Sequence, residues 1–365
     1  MSLVFEHASK NPELKGLRGY KYTAEAVYSR EWPFEALVSR GIVYDENGNV
    51  VAFPFRKFFN YEELFPENGG TEILDKVKFA QEQDIKKFGY TGFIPAFDKK
   101  FYVTEKIDGC LGIAFFWNGK WYVKTGGAFD SEQAIWATAY IRNSHIHTDK
   151  MNPDFTYCFE VVYAGDQHPL TKYYKEDLYL LGILHKENGK EIPLDELKAE
   201  SLKIDANMPK VFEFTSMKDV YKFAKNMPVS SEGVVVTFEN GFKCKIKGNE
   251  FLKLQRVYHN LDENMLIENL SENGKISKEI LMMIPEEMPD LKEKAKDIEA
   301  KYANDKNVCI AEGLYIKKQN ILRKDAFAII AKYDKFKKHT GSILGFAYGS
   351  EFNLKQFLKE FKKEF

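Results

Sequence analysis

The sequence predicts an α+β fold in two parts, an antiparallel-sheet domain over residues 1–255 and a smaller all-α domain over 256–365. Three observations carry this reading. Up to about residue 255, short apolar runs alternate with turn residues, the pattern of strands joined by hairpins. From about Leu254 the strand signals stop and apolar residues take helical spacing. The length of 365 residues also exceeds the roughly 250–300 residues at which a single core stops growing.

Each element has its own warrant. Gly41 to Val51 reads as a hairpin, with Gly-Ile-Val-Tyr and Val-Val-Ala-Phe flanking the turn Asp-Glu-Asn-Gly-Asn. Gly112 to Thr125 repeats the design around Asn118-Gly119, and Val234 to Ile246 around Glu239-Asn240-Gly241. Tyr157 to Tyr163 and Leu178 to Leu184 are apolar enough for buried strands. Two helices interrupt, Ser131 to Arg142 and Ser216 to Asn226, the second with Ser216 and Asp219 spaced as a capped start. The boundary falls near 255–262. Beyond it, Ser277–Met283, Asp290–Asn304, Arg323–Tyr333 and Leu354–Phe361 read as helices. The sequence shows no internal repeat.

Composition narrows the function class. At 44% hydrophobic and 15% aromatic the chain has ample material for a core, which argues against disorder. The 53 basic and 54 acidic residues nearly cancel, so attraction for nucleic acid has to be local. Cys110, Cys158, Cys244 and Cys309 are scattered without a Cys-x-x-Cys pair, which points to reduced thiols rather than disulfides or zinc. The N-terminus lacks a signal pattern, and no window approaches the roughly 18 apolar residues of a membrane span. A cytoplasmic location is expected, or the host cytoplasm for a viral chain, with no membrane partner.

The sharpest chemical feature is Lys106-Ile107-Asp108-Gly109, preceded by Glu105 and set between the apolar runs Phe101-Tyr102-Val103 and Leu111-Gly112-Ile113-Ala114. Alone it is weak, since Lys-x-Asp-Gly arises by chance in about one chain of this length in ten. Its company is informative: Ser39-Arg40-Gly41 and Arg56-Lys57-Phe58-Phe59-Asn60 upstream, then Phe159-Glu160, Ser231-Glu232-Gly233 and Lys245-Ile246-Lys247 downstream.

In order and spacing these elements resemble the covalent nucleotidyltransferase superfamily of ligases and capping enzymes. The Lys-Phe-Phe-Asn element narrows the resemblance to the RNA ligases typified by the tRNA-repair ligase of T-even bacteriophages (type 1). The likeness covers roughly residues 36 to 250 and implies an antiparallel-sheet nucleotidyltransferase, or adenylyltransferase, domain with a helical C-terminal domain. DNA ligases and capping enzymes continue instead into an OB-type barrel, whose strands are not evident here.

The resemblance implies ATP-dependent joining of a 5′-phosphate to a 3′-hydroxyl through a lysyl-AMP on Lys106 and an RNA-adenylate, in RNA or tRNA repair. The partners would be single-stranded or tRNA-like RNA and ATP, together with a separate end-healing kinase-phosphatase. An amine nucleophile must be neutral, whereas an ordinary Lys titrates near 10.4, so the site is expected to lower the pKa of Lys106. Lys245 and Lys247 share one face of a strand and are the cations expected to do so, while neutralising the triphosphate. By resemblance Glu160 contacts the ribose, and Glu232, with Asp108, holds Mg2+ (or Mn2+), a cation suited to oxygen ligands and phosphates. Glu105 and Arg40 belong to the nucleotide site, Lys57 touches phosphate, and Phe59 packs near adenine.

The sequence departs from the phage pattern twice. The phage Lys-Ser-Lys-Gly run reads Lys124-Thr125-Gly126-Gly127 here, leaving Lys124 to take the phosphate contact. The family's Asn-Arg pair is replaced by Asp166-Gln167-His168. Residues 310–365 hold 12 Lys/Arg against 6 Asp/Glu, densest from Lys317 to Lys338. Both an RNA-backbone surface and an ordinary solvated helix face fit that excess. The competing readings of the whole chain are a DNA ligase, a capping-type nucleotidyltransferase and an inactive RNA-end-binding homologue. Retention of Lys106, Glu160, Glu232, Lys245 and Lys247 together argues against the last.

Overall fold

The structure, a computed structural model, describes residues 2–64, 80, 82–89, 97–163, 171, 175–260, 262–283 and 289–364, without the side chains of 256–260, 279, 282–283, 289–290 and 334–335. The chain divides into two compact units, Met1–Lys253 and Leu254–Phe365.

Strands are numbered in chain order. In the first unit, β1 (Val4–His7), β2 (Arg18–Tyr22), β3 (Arg40–Tyr44) and β4 (Val50–Ala52) form one antiparallel sheet in that order. A second antiparallel sheet runs β10-β9-β7-β8, from β7 (Cys110–Trp117), β8 (Lys120–Thr125), β9 (Phe155–Val162) and β10 (Asp177–His185). The third contains β5 (Phe59–Asn60), β6 (Phe101–Lys106), β11 (Val211–Phe212), β12 (Gly233–Phe238) and β13 (Lys243–Lys247), in the order β11-β6-β12-β13-β5. It is antiparallel except where β13 and β5 run parallel.

Local chemistry explains these elements. The β7–β8 turn places Asn118 and Gly119 at φ 47° and 79°, the left-handed pair that a two-residue hairpin requires. The helix Glu132–Asn143 starts where the Ser131 hydroxyl accepts the Ala134 N–H, and Met217–Lys225 starts on the Ser216 hydroxyl in the same way. β1 and β2, and the helix Leu194–Ile204, appear without having been legible as elements in the sequence.

Strand alternation divides the third sheet into two faces. Val103, Val234, Val236, Phe238, Cys244 and Ile246 pack into a core with Trp32, Phe53 and Phe59. Their neighbours Tyr102, Thr104 and Lys106 on β6, Val235 and Thr237 on β12, and Lys243 and Lys245 on β13 point the other way and line a cavity of about 220 Å³.

The second unit is a set of helices with its own core, including Tyr302, Ile330, Ile343, Phe357 and Phe361. Its longest helix, Pro289–Lys318, runs well past the predicted end at Asn304. The polar block Asn304-Asp305-Lys306-Asn307 masks the pattern, but Tyr302, Cys309 and Ile316 are buried at seven-residue intervals and carry the apolar stripe through. Among the described residues no helix is long and apolar enough to cross a membrane.

Candidate active site

Lys106 ends β6, and its register partner on β12 is Gly233, which pairs on its other side with Lys247. This register sets Glu232, one residue before β12, between the two lysines. Its Oε2 accepts from Lys106 Nζ at 2.5 Å and its Oε1 from Lys247 Nζ at 3.0 Å, with the carboxylate buried. Gly233 has φ +148°, and a Cβ there would collide with the Ile246 carbonyl, so the start of β12 beside the end of β13 requires glycine. Gly109 is similarly constrained: a Cβ would lie 2.5 Å from the Val161 carbonyl and 3.0 Å from Glu160 Cγ. The Lys-x-Asp-Gly turn therefore passes close under β9, which carries Glu160.

The cavity joins Lys106, Glu105, Arg40, Glu160 and Lys245. Its electrostatics divide by sign. Burial pushes Glu160 up to about 7, against the pull of Lys106 and with help from Glu232. Burial, then the charges of Lys57, Lys106, Arg40 and Lys247, bring Lys245 down to about 7. Lys57, which acts on Lys245 but does not itself line the cavity, is lowered to about 8 by burial and by Arg40. The guanidinium of Arg40 lies 4.5 Å over the Phe58 ring, and its Nη1 is buried with no hydrogen-bond partner among the described residues. Two cations depressed by burial and an orphaned guanidinium donor form a site that gains by receiving an anion.

Three expectations need correction. Lys106 is raised, not lowered: burial acts downward, but Glu232 and Glu160 outweigh it. The cationic neighbours depress Lys245 instead, because Lys106 has the carboxylate. Phe59 is not in the cavity but in the core, edge-on to Trp32 at 5.5 Å; strand alternation presents Phe58 in its place. Lys124 is fully buried, donating to the carbonyls of Thr125 at 2.6 Å, Gly41 at 3.3 Å and Gly126 at 3.4 Å. Burial and Lys21 lower it to about 7, and it does not line the cavity. Asp108 is buried, with Oδ2 accepting the Thr171 N–H at 2.8 Å. Lys57 sits over the Phe59 and Trp32 rings at 4.7 and 5.0 Å. Asp166-Gln167-His168 lie outside the described residues.

The model of a family described as RNA ligase, of the bacteriophage T4 type, matches residues 38–251, which contain the whole constellation. The chain belongs to this RNA ligase family. A curated relative, provisionally named a bifunctional polynucleotide kinase/RNA ligase, from Autographa californica nuclear polyhedrosis virus, is 25% identical over 244 residues. The match covers 62% of this chain and 32% of the viral one, so the chain spans about a third of the length of that relative. Solved structures that resemble it include a provisionally named ATP-dependent DNA ligase from Aquifex aeolicus (TM-score 0.42, 16% identity, 95% of this chain and 74% of that one). An archaeal ATP-dependent RNA ligase gives a TM-score of 0.45 at 12% identity, covering 81% and 72%. A Naegleria gruberi RNA ligase with PPi gives 0.32 at 15%, covering 49% and 56%.

Within this ligase fold the cavity holds residues that motif reading did not select. Lys243 is buried at its base, paired with Glu191 at 2.9 Å and donating to the Thr237 hydroxyl at 2.8 Å. The period-two rule that joins Lys245 to Lys247 also reaches Lys243, and it was the available signal. Glu191 lies outside every motif and is brought in by the fold alone.

Proposed function

We propose that the chain is an ATP-dependent RNA ligase that seals a 5′-phosphate to a 3′-hydroxyl, with Lys106 as nucleophile. The observation that carries the reading is the cavity in which Lys106 shares Glu232 with Lys247 and faces Lys245, Arg40 and Glu160. In the first step the Lys106 amine attacks the α-phosphorus of ATP; a P–N bond forms, the Pα–O–Pβ bond breaks and pyrophosphate leaves. An oxygen of the RNA 5′-phosphate then takes the AMP from Lys106. The 3′-hydroxyl finally attacks the activated phosphate, forming the phosphodiester and releasing AMP. RNA repair is the setting this chemistry suits, with end healing supplied by a separate kinase-phosphatase.

Lys106 must lose a proton before it attacks, and the Glu232 pair opposes this. The carboxylates of Glu232 and Glu160 are an oxygen donor set of the kind that suits Mg2+ or Mn2+. A divalent cation there would supply charge neutralisation at the phosphates and draw Glu232 away from Lys106. Lys245, Lys57 and Arg40 would then stabilise charge on the triphosphate without reorganising. Residues 1–255 are assigned the nucleotide chemistry as an adenylyltransferase domain, and 256–365 the choice of RNA. Exposed Lys317, Lys318, Arg323, Lys324 and Lys332, together with exposed Tyr315, Phe327 and Tyr333, support the second assignment.

The reading is tested by offering the chain single-stranded RNA with 5′-phosphate and 3′-hydroxyl ends beside nicked duplex DNA, with products resolved on a denaturing gel. RNA should be sealed much faster; preference for the nicked DNA would assign the chain to the DNA ligases. A folded truncation ending near Arg256 should still take up AMP but bind RNA less well, and failure to take up AMP would refute the division of labour.

A further inference from the structure

In the helical unit, far along the chain from the catalytic constellation, three ligating side chains converge. His339 precedes the helix Thr340–Tyr348, Asp305 lies within Pro289–Lys318, and Glu364 ends the C-terminal turn Lys362–Glu364. One ligand atom from each lies within 4.8 Å of the other two. His339 Nε2 is 2.6 Å from Glu364 Oε1 and 3.8 Å from Asp305 Oδ2.

Three features set this apart from a surface cluster. The imidazole is 2% exposed and the Glu364 side chain 7%. Among the described residues neither ring nitrogen of His339 has a hydrogen-bond partner, nor does Glu364 Oε1, which lies 2.6 Å from Nε2. The 2.6 Å approach of Nε2 to Oε1 is within ion-pair reach but is not aligned as a hydrogen bond, and Nδ1 on the far side of the ring has no hydrogen-bond partner among the described residues. Packing fixes the ring, whose centroid lies 5.0 Å from that of Phe357.

Among the described residues, the charges in contact include Lys301, which reaches Asp305 at 2.7 Å and Glu364 Oε2 at 2.8 Å, and Lys338, 3.4 Å from Glu364 Oε2. Both lysines are substantially exposed, and the Lys301–Asp305 contact is an i,i+4 pair, a weak interaction that swings readily to water. Both lysines reach Glu364 through Oε2, not through the Oε1 that faces Nε2. Cys309, one turn beyond Asp305, is held as a thiol, pushed up to about 12 by burial and the nearby carboxylates. The donor set is thus one imidazole nitrogen and two carboxylates, which selects a borderline divalent transition ion over Mg2+ or Ca2+.

We propose that His339, Asp305 and Glu364 form a binding site for a divalent transition ion of the Zn2+ type, which fastens the C-terminal turn to the long helix of this unit. Nε2 and Oε1 would become co-ligands of the ion instead of facing each other directly. The fourth position would go to water.

The test uses the full chain, stripped with a chelator, incubated with Zn2+ alone, desalted and assayed for bound metal. Glu232→Gln removes the carboxylate most suited to hold metal at the ligase site. One equivalent should remain in that variant. None should remain in E232Q/E364Q or E232Q/H339Q, with a loss in affinity of at least about tenfold. Zn2+ should also raise the thermal midpoint of the unsubstituted chain and of E232Q, but not of the double variants. Circular dichroism establishes that each variant is folded; if H339Q fails to fold, E364Q decides. Failure of E232Q to retain metal, or retention unchanged in folded E232Q/E364Q, would overturn the proposal.

Discussion

The Lys106 ammonium donates to Glu232 Oε2 at 2.5 Å, so the group proposed as nucleophile is held protonated by the carboxylate proposed to receive the metal. Replacing Glu232 with Gln removes the ion pair while keeping the shape. The Lys106 pKa should then fall, which can be read as a downward shift in the pH midpoint of its modification by an amine-acylating reagent. An unchanged midpoint would mean that the pair does not control the nucleophile.

Lys245 and Lys247 project from the same face of β13, one toward the cavity and one onto Glu232. Lys245→Ala and Lys247→Ala should each slow self-adenylylation by about 10²-fold or more, the scale for removing one preorganised donor to developing charge. Both variants should remain folded. Adenylylation at the normal rate in both would make the pair structural.

The two limbs of the pH profile should have opposite slopes. Lys245 at about 7 and Lys57 at about 8 lose charge as pH rises, so ATP affinity should weaken between roughly pH 7 and 9. Lys106 is raised, so the rate constant of AMP transfer should increase over the same interval. Lys245→Arg, which cannot deprotonate, should remove the part of the affinity loss centred near pH 7, keep the part near pH 8 that belongs to Lys57, and leave the rate limb in place. Affinity that is flat in the parent chain would contradict the assignment of Lys245.

Lys124 offers a separate test through stability. Its folded pKa of about 7 lies below the ordinary lysine value of about 10.4. The unfolded chain therefore binds more protons across that window, and the cost of burying Lys124 is full below about pH 7 and fades as pH rises. Lys124→Met should stabilise the fold at pH 7, on the order of 1 kcal/mol, as for other buried charges replaced by apolar groups. The gain should shrink by pH 9.5. Denaturant titrations at the two pH values measure it, and a gain that grows with pH would reverse the sign of the argument.

The sequence revealed the site where chemistry and period coincide. Lys106, Glu160, Glu232 and Lys245 are each marked by a charged residue inside or beside an apolar strand, and the hairpins at Asn118-Gly119 and Asn240-Gly241 are marked by their turn residues. Phe59 was misplaced because the face of a two-residue strand cannot be fixed before its partner is known; its parallel pairing with β13 turns Phe58 to the cavity. The direction of the Lys106 shift was missed for a similar reason. Motif spacing shows that lysines and a glutamate are near one another, but only the register through Gly233 shows that Glu232 is closer to Lys106 than the cations are. Glu191 and the His339 cluster carry no local signal, because tertiary packing alone brings their partners together.

The most direct measurement is the intact mass of the full chain before and after incubation with ATP and Mg2+, with the modified residue located by peptide mapping. A gain of one AMP, confined to Lys106 and absent from Lys106→Ala, is the expected result. An unchanged mass, or an adduct that persists in Lys106→Ala, would contradict the account.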